Sequence, residues 1–501
     1  MKAIYSEFLG GLSYYDRNAP ANTYNEGREI DPHRGGGYLQ PGWDLATVTK
    51  SDDTPAIIVK PIVDICVDEN SDDCYFIDST DKIYRMTSLV SEGFDADFDG
   101  TSHYYYDIPS ATAGESLAIY GISGTNYLLY AYNTSTAGDV GTATLGGTAT
   151  FNPDYLSTDV GTGNAALQKA PHPMMEWKSY LYIGNGRYVG RFDGANDVWD
   201  ATKLDLGAGW EVTALFPTEN YVGVCAWKTN SAGSGYRTEA RVYFWDGISA
   251  LPTYWKPVAD NEIKAAFNNN GEILLATYGR DLAITLRKLT DFGTEKIRKL
   301  KTSIAGTSTS FNPTTVGSRF GMESFGNRVL FGSRYLIWSY GAEEEGQPKA
   351  ITIPWGQTAV ASSEISVIKT VLYNKVYIAY SDHTNSKYYI LKASAGNSTR
   401  ATYRGNYTDM GQNIRVNYIK LYFKPLVASD SVTVTLDTDY GTSNTPQQNA
   451  GVISHTLDGA ITSKKFDLGG IECHSFRPVI DWTVGGVAFS KIVVDYDFVE
   501  D

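Results

Sequence analysis

The sequence predicts an all-β protein: a β-propeller of about seven blades over residues 51–400, preceded by an extended N-terminal arm over residues 1–50 and followed by a C-terminal β-sandwich over residues 401–501. Three observations carry that expectation. The composition favours pleated sheet and tight turns, with 36 Tyr, 10 Trp and 49 Gly, and has little Ala-Leu-Glu-Lys sequence of the kind that builds helices. A unit of about 50 residues recurs through the middle of the chain. The last hundred residues drop that period and read as short alternating strands.

The arm is irregular and rich in Gly and Pro, as in Gly10-Gly11-Leu12 and the run from Arg34 through Gly35, Gly36, Gly37 and Pro41 to Trp43. Such a segment suits a chain running extended over the propeller and closing its ring.

Each repeating unit is a polar turn, a short apolar strand, a tight turn and a strand with alternating aromatics. Aligned on Tyr75, Leu128, Leu181, Val222, Ile273, Val329 and Val376, successive units are 53, 53, 41, 51, 56 and 47 residues apart. That is the period of four-stranded propeller blades, although six or eight blades, or two unrelated β-sandwiches, would also give loosely spaced strands. One such sheet cannot bury both its faces, whereas sheets stacked around an axis can. Two-residue turns are expected at Asn185-Gly186, between Tyr182-Ile183 and Tyr188-Val189, and at Gly332-Ser333, between residues 329–331 and 336–338.

After Lys392 a polar stretch reads as a linker or first edge strand. Alternating strands follow, with Ile419, Leu421 and Phe423 on one face, then Val432-Val434-Leu436, Val479-Trp482 and Ile492-Val494-Tyr496-Phe498.

Charge narrows the function. The chain carries 57 acidic against 42 basic residues, a net charge of −15. A duplex-binding groove needs clustered cations, so sequence-specific nucleic-acid binding is disfavoured. Only residues 286–301 are strongly basic, and they read as a strand pair with lysine-guarded edges. No apolar run approaches the roughly 20 residues of a membrane span, and the N-terminus lacks the apolar region of a secretory signal. Cys66, Cys74, Cys225 and Cys473 are too few and scattered for a disulfide framework and are expected as buried thiols, in a chain folded in a reducing compartment.

The best local chemical motif is Asp95, Asp97 and Asp99 followed by Gly100. Carboxylates at alternate positions before a turn glycine can wrap a hard cation, so these three are candidate ligands of a structural calcium ion. The pattern is incomplete. The ninth and twelfth positions are His103 and Tyr106, so an acidic surface loop without metal is the competing reading. The acidic run 68–73 reads as a hairpin turn. Six scattered histidines, with no nucleophile elbow, phosphate loop, dinucleotide fingerprint or sialidase-type Asp-box, lead to the expectation that the protein is not an enzyme and has no other cofactor. Trp177, Trp199, Trp227, Trp245 and Trp338 sit beside blade strands and are expected in cores. The sequons at Asn133, Asn397 and Asn406 are read as chance.

The opening segment resembles the start of virion proteins from tailed bacteriophages. Phe8, Gly10, Gly11, Leu12, Gly36, Gly37, Pro41 and Gly42 carry the likeness, and the strands YLYIGNGRYVGRFDG from Tyr180 and YIKLYFKPLVASDSVTVTLDTDYG from Tyr418 are similar to that family's propeller and terminal sandwich. The resemblance implies a structural tail protein similar to the nozzle or distal tail proteins of short-tailed phages, made in the host cytoplasm and resident in the virion. It implies a homo-oligomeric ring, a hexamer, below a head-to-tail adaptor, in contact with other tail or fibre proteins, that holds or passes genomic DNA. An acidic wall is compatible with that role, because it repels phosphate and lets DNA slide. The arm departs from the pattern in having few basic residues, which leaves the adaptor contact unassigned. The alternatives are a tail-tip receptor or carbohydrate-binding protein using exposed Tyr and Trp, and, behind it, a polysaccharide-degrading propeller.

Overall fold

Each of the seven alignment anchors falls on the second strand of its own antiparallel sheet. The computed structural model describes residues 1–13, 23–48, 58, 60–71, 73–87, 93–94, 105–145, 149–229, 237–279, 284–300, 321–333, 335–342, 347, 349–357, 363–371, 375–439 and 441–499. Within them the chain forms a seven-bladed propeller, with blades at 62–107, 113–152, 174–205, 210–258, 262–299, 322–356 and 363–397. Blades 2 to 7 are four-stranded, and in blade 1 two short strands share the outer edge.

The last blade takes its outer strand from the other end of the chain. Trp43–Thr47 pairs antiparallel with Lys387–Asn397, with Leu45 opposite Ala393 and Thr47 opposite Leu391. The arm therefore closes the ring, as its composition suggested. Its remaining strands go elsewhere: Lys2–Ser6 pairs with Phe489–Phe498, and Tyr24–Arg28 pairs with Thr402–Gly405. These are the two ends of the main path of a nine-stranded C-terminal sheet, so the arm covers edges that would otherwise present unpaired backbone.

The expected sandwich is one sheet curled on itself. The 22-residue strand Ser463–Val484 pairs with Thr408–Phe423 along its first part and with Ser431–Thr438 along its last. Ile419, Leu421, Phe423, Val432, Val434, Leu436, Ile492 and Val494 all point inward and are buried, as the alternation required.

Two turns differ from expectation. Asn185 pairs with Tyr188, so the hairpin loop is Gly186-Arg187, with Gly186 at φ 61°. Asn185 is drawn into the ladder because its side chain has partners on both sides: Oδ1 accepts the Gln168 N–H at 2.6 Å and Nδ2 donates to the Ala201 carbonyl at 2.9 Å. Gly332 and Ser333 also lie within a strand, opposite Ile337 and Leu336. A Cβ on Gly332 would stand 2.4 Å from Ile365 Cγ2 in blade 7, so this glycine serves close packing of two blades rather than a turn.

The core is divided unevenly. Separate apolar clusters lie between blades 7 and 1, 1 and 2, 2 and 3, 3 and 4, and 4 and 5. From blade 5 through blade 7 a single cluster continues into the arm and the C-terminal sheet, joining Leu274, Val329 and Ile378 to Phe8, Tyr24, Ile419 and Val494. Trp199, Trp227, Trp245 and Trp338 are buried, as their positions predicted, and Trp177 is half-buried. The four cysteines are free and buried; Cys66 and Cys74 sit on opposite faces of blade 1. Among the described residues no helix is long and apolar enough to cross a membrane.

Candidate functional sites: the central channel and the arm clasp

The first strands of all seven blades line a central cavity of about 400 Å³, into which Asp64, Ser116, Thr213, Lys264, Glu323 and Lys369 bring polar groups. A second cavity of about 820 Å³ shares Asp64, Ile65, Met174 and Lys369 with it and adds Asp68, Glu69 and Glu176. Neighbouring inner strands diverge around the axis and form no ladder with one another, so short side chains bridge the seams. Ser366 Oγ donates to the Ile62 carbonyl at 2.5 Å, and Thr213 Oγ1 to the Ile263 carbonyl at 3.0 Å. Ser116 Oγ donates to the His172 carbonyl, and Asp64 Oδ2 accepts the Leu117 N–H at 2.9 Å.

The cations of the channel are paired. Lys369 Nζ lies 3.0 Å from Glu323 Oε2, and Lys264 Nζ lies 2.6 Å from Glu262 Oε2. Burial works against the Lys369 ammonium, but the Glu323 carboxylate, with Asp64 behind it, outweighs burial and holds its pKa above the usual lysine range. The channel hydroxyls donate to backbone carbonyls, which is the geometry of a stitch and not of a nucleophile held by a base. His172 is buried in the seam of blades 2 and 3, with Nδ1 2.9 Å from the Gly184 carbonyl and Nε2 3.1 Å from Asn133 Oδ1.

The candidate calcium ligands Asp95, Asp97 and Asp99 lie outside the described residues. Downstream of them, Asp107 pairs with Lys82 at 2.7 Å. Among the described residues no group of three or more His, Cys, Asp or Glu is placed to hold a metal ion. Of the acidic run, Asp68 and Asp73 face each other at the ends of the paired strands Ile62–Asp68 and Asp73–Asp78, where Asp68 Oδ2 accepts the Ser71 hydroxyl at 2.7 Å and Asp73 pairs with Arg85 at 2.6 Å. The basic segment forms the third and outer strands of blade 5; Arg287 pairs with Asp260 at 2.6 Å and Lys288 with Glu272 at 2.8 Å. The sequon residues Asn133 and Asn406 are buried, and Asn397 accepts a hydrogen bond from Arg34 at 2.9 Å.

A second polar centre has no counterpart in the sequence reading. Glu29, 1% exposed, receives Arg28 Nε at 3.1 Å, Arg400 Nε at 3.2 Å and the Ser398 hydroxyl. Asp31 receives Arg328 Nη1 at 3.0 Å, with Nη2 at 3.5 Å from its other oxygen. Arg400 Nη2 also donates to the Gly356 carbonyl at 2.8 Å. This clasp ties the arm to blade 6 and to the start of the C-terminal sheet. The available signal was five charged or titratable residues, Arg28, Glu29, Asp31, His33 and Arg34, within seven positions of a Gly- and Pro-rich arm, but the partners of Glu29 and Asp31 across the clasp, Arg400 and Arg328, lie hundreds of residues away.

The glycines of the arm have a physical reason in the same place. A Cβ on Gly11 would lie 2.6 Å from the Ile351 carbonyl oxygen, and one on Gly42 would lie 1.8 Å from that of Pro354. Backbone thus presses on the outer strand of blade 6, where Leu12 N–H donates to Ile351 at 2.9 Å and Ile30 N–H to Ile353 at 3.1 Å.

No protein-family model and no curated protein sequence matches the chain. Solved structures match at the level of fold. The computationally designed Ika8 protein is 12% identical, with a TM-score of 0.39, covering 70% of this chain and 99% of its own. Raptor from Chaetomium thermophilum is 9% identical, with a TM-score of 0.43, covering 74% of this chain and 30% of its own. The Dos1 propeller is 12% identical, with a TM-score of 0.43, covering 73% of this chain and 98% of its own. Likeness at this level carries nothing about function.

Proposed function

We propose that the chain is a non-enzymatic structural component of a bacteriophage tail: a nozzle-like ring protein concerned with genome retention or passage and with tail assembly. The observation that carries this reading is the arm, whose three strands are divided between the last blade and both ends of the C-terminal sheet. That weaving makes propeller and sheet one stiff body, which is what a load-carrying wall requires. The phage-like positions Gly11 and Gly42 are contact points of the weave, so the resemblance and the architecture meet at the same residues.

Genome passage would run through the middle of a ring of copies and not through the propeller. The adjoining cavities of about 400 and 820 Å³ are of the size that takes a small ligand and not a moving duplex. Facing a ring lumen, a chain of net charge −15 would repel phosphate and keep DNA from adhering. In this reading the protein contacts an adaptor above, tail or fibre proteins beside or below, and its own copies in a hexameric ring. Mass spectrometry of purified virions tests it: the chain should be a stoichiometric tail component, and its absence from particles removes the proposal.

A further inference from the structure

The two cavities of the channel form one passage with unlike ends, joined where Asp64, Ile65, Met174 and Lys369 line both. The larger is the mouth, at the level where the first strands of blades 7, 1 and 3 run out, and Asp68, Glu69 and Glu176 line it. The smaller is the throat, lined by Met174, Leu215, Phe267 and Met322 of blades 3, 4, 5 and 6, all half-buried. Apolar side chains that water still reaches favour a ligand whose apolar body takes the water's place.

Charge is balanced in the throat and unbalanced at the mouth. In the throat Glu323 holds Lys369 at 3.0 Å and Glu262 holds Lys264 at 2.6 Å. At the mouth Asp64, Asp68, Glu69 and Glu176 face one cation, Lys369, which Glu323 already engages. Two of the four carboxylates are spent locally: Asp64 Oδ1 accepts the Ile65 N–H at 2.9 Å, and Asp68 Oδ1 accepts the Asn70 N–H at 3.1 Å. Glu69 and Glu176 are exposed and, among the described residues, make no ion pair or hydrogen bond. They belong to blades 1 and 3, with Leu117 and Ile119 of blade 2 lining the same cavity. Among the described residues no three metal-ligating groups converge, so the pattern suits an organic cation rather than a metal ion.

We infer that the channel binds an amphipathic organic cation, an ammonium group on an aliphatic chain, with the ammonium at Glu69 and Glu176 and the chain in the throat. Two separate features select it: the charge of the mouth chooses the head, and the apolar wall of the throat chooses the body. The hydroxyls of Ser116, Thr213 and Ser366 already fasten neighbouring inner strands to one another, so the passage is formed before a ligand arrives and little ordering opposes binding. The site requires no ring of copies and no tail, so it and the tail reading stand or fall separately.

Calorimetric titration of the full chain with butyl-, pentyl- and hexylammonium chloride tests both halves. One ligand should bind per chain, with each added methylene tightening binding by about threefold to fourfold and added salt weakening all three. Hexanoate, of similar length and opposite charge, should not bind. Glu69→Gln and Glu176→Gln should each weaken every member of the series by about twofold to fivefold and leave the dependence on length intact. Leu215→Asn and, as a second probe of the wall, Met322→Gln should flatten that dependence and keep the preference for cation over anion. Asp467→Asn removes an exposed carboxylate on the C-terminal sheet and should change nothing. Circular dichroism matching the parent chain checks the fold of each variant. No binding, equal binding of hexanoate, or affinity independent of chain length would each overturn the site. So would several ligands per chain with the three carboxylate variants alike, or displacement of hexylammonium by magnesium chloride at matched ionic strength.

Discussion

His33 and Asp139 are buried groups whose titrations oppose each other. Burial pushes the His33 pKa down to about 4, with Arg328 adding to the fall and Asp31 opposing it. Burial pushes the Asp139 pKa up to about 6, against hydrogen bonds from Ser157 and the Val140 N–H and with Asp154 adding to the rise. A histidine lowered from 6.5 contributes stability that is present at neutral pH and lost as pH falls through about 4. An aspartate raised from 3.8 contributes stability that is present below about pH 4 and lost as pH rises through about 6. Each effect is worth at most about 3 kcal/mol at 1.36 kcal/mol per pKa unit, so in the parent chain they largely cancel between pH 4 and 6. Asp139→Asn should make the protein lose stability on acidification through that window, and His33→Gln should make it gain. Urea unfolding at several pH values checks both; two variants with the parent profile would show that these side chains titrate normally. The buried Asp31–Arg328 pair gives a third outcome at this scale. Asp31→Asn alone should cost about 3–5 kcal/mol by stranding the guanidinium, while Asp31→Leu with Arg328→Met should recover most of the loss.

At the scale of elements, the propeller was legible because its signal repeats: seven anchors chosen by apolar patterning all lie on second strands. Two turn assignments shifted because glycine answers to two needs. Gly186 serves a hairpin, one position later than Asn-Gly pairing suggests, and Gly332 makes room for Ile365. The role of the arm in closing the ring could be read from composition, but its clasp could not. Asp31 and Arg328 are 297 positions apart, and Glu29 and Arg400 are 371 apart; nothing local links them. The channel left no motif either, since its lining is spread over all seven blades in short runs that share no pattern. Gly42→Ala should destabilise by about 1–3 kcal/mol through overpacking against Pro354, measurable as a lower urea midpoint with an unchanged slope. Removing residues 1–48 should do far more. It strips the outer strand from blade 7 and both arm strands from the C-terminal sheet, so insoluble or aggregating protein is the expected product.

For the whole molecule, the main consequence is mechanical. Five inter-blade cores are local, but the sixth is shared by three blades, the arm and the C-terminal sheet, so the sheet has no independent core to unfold around. Scanning calorimetry of the full chain tests this most directly. A single transition whose calorimetric and van't Hoff enthalpies agree is the expected record, with Asp31→Asn lowering it as one peak. Two resolved peaks, the first removing only the C-terminal sheet, would mean that propeller and sheet are separate bodies joined by a strap, and the proposed stiff wall would fail with them.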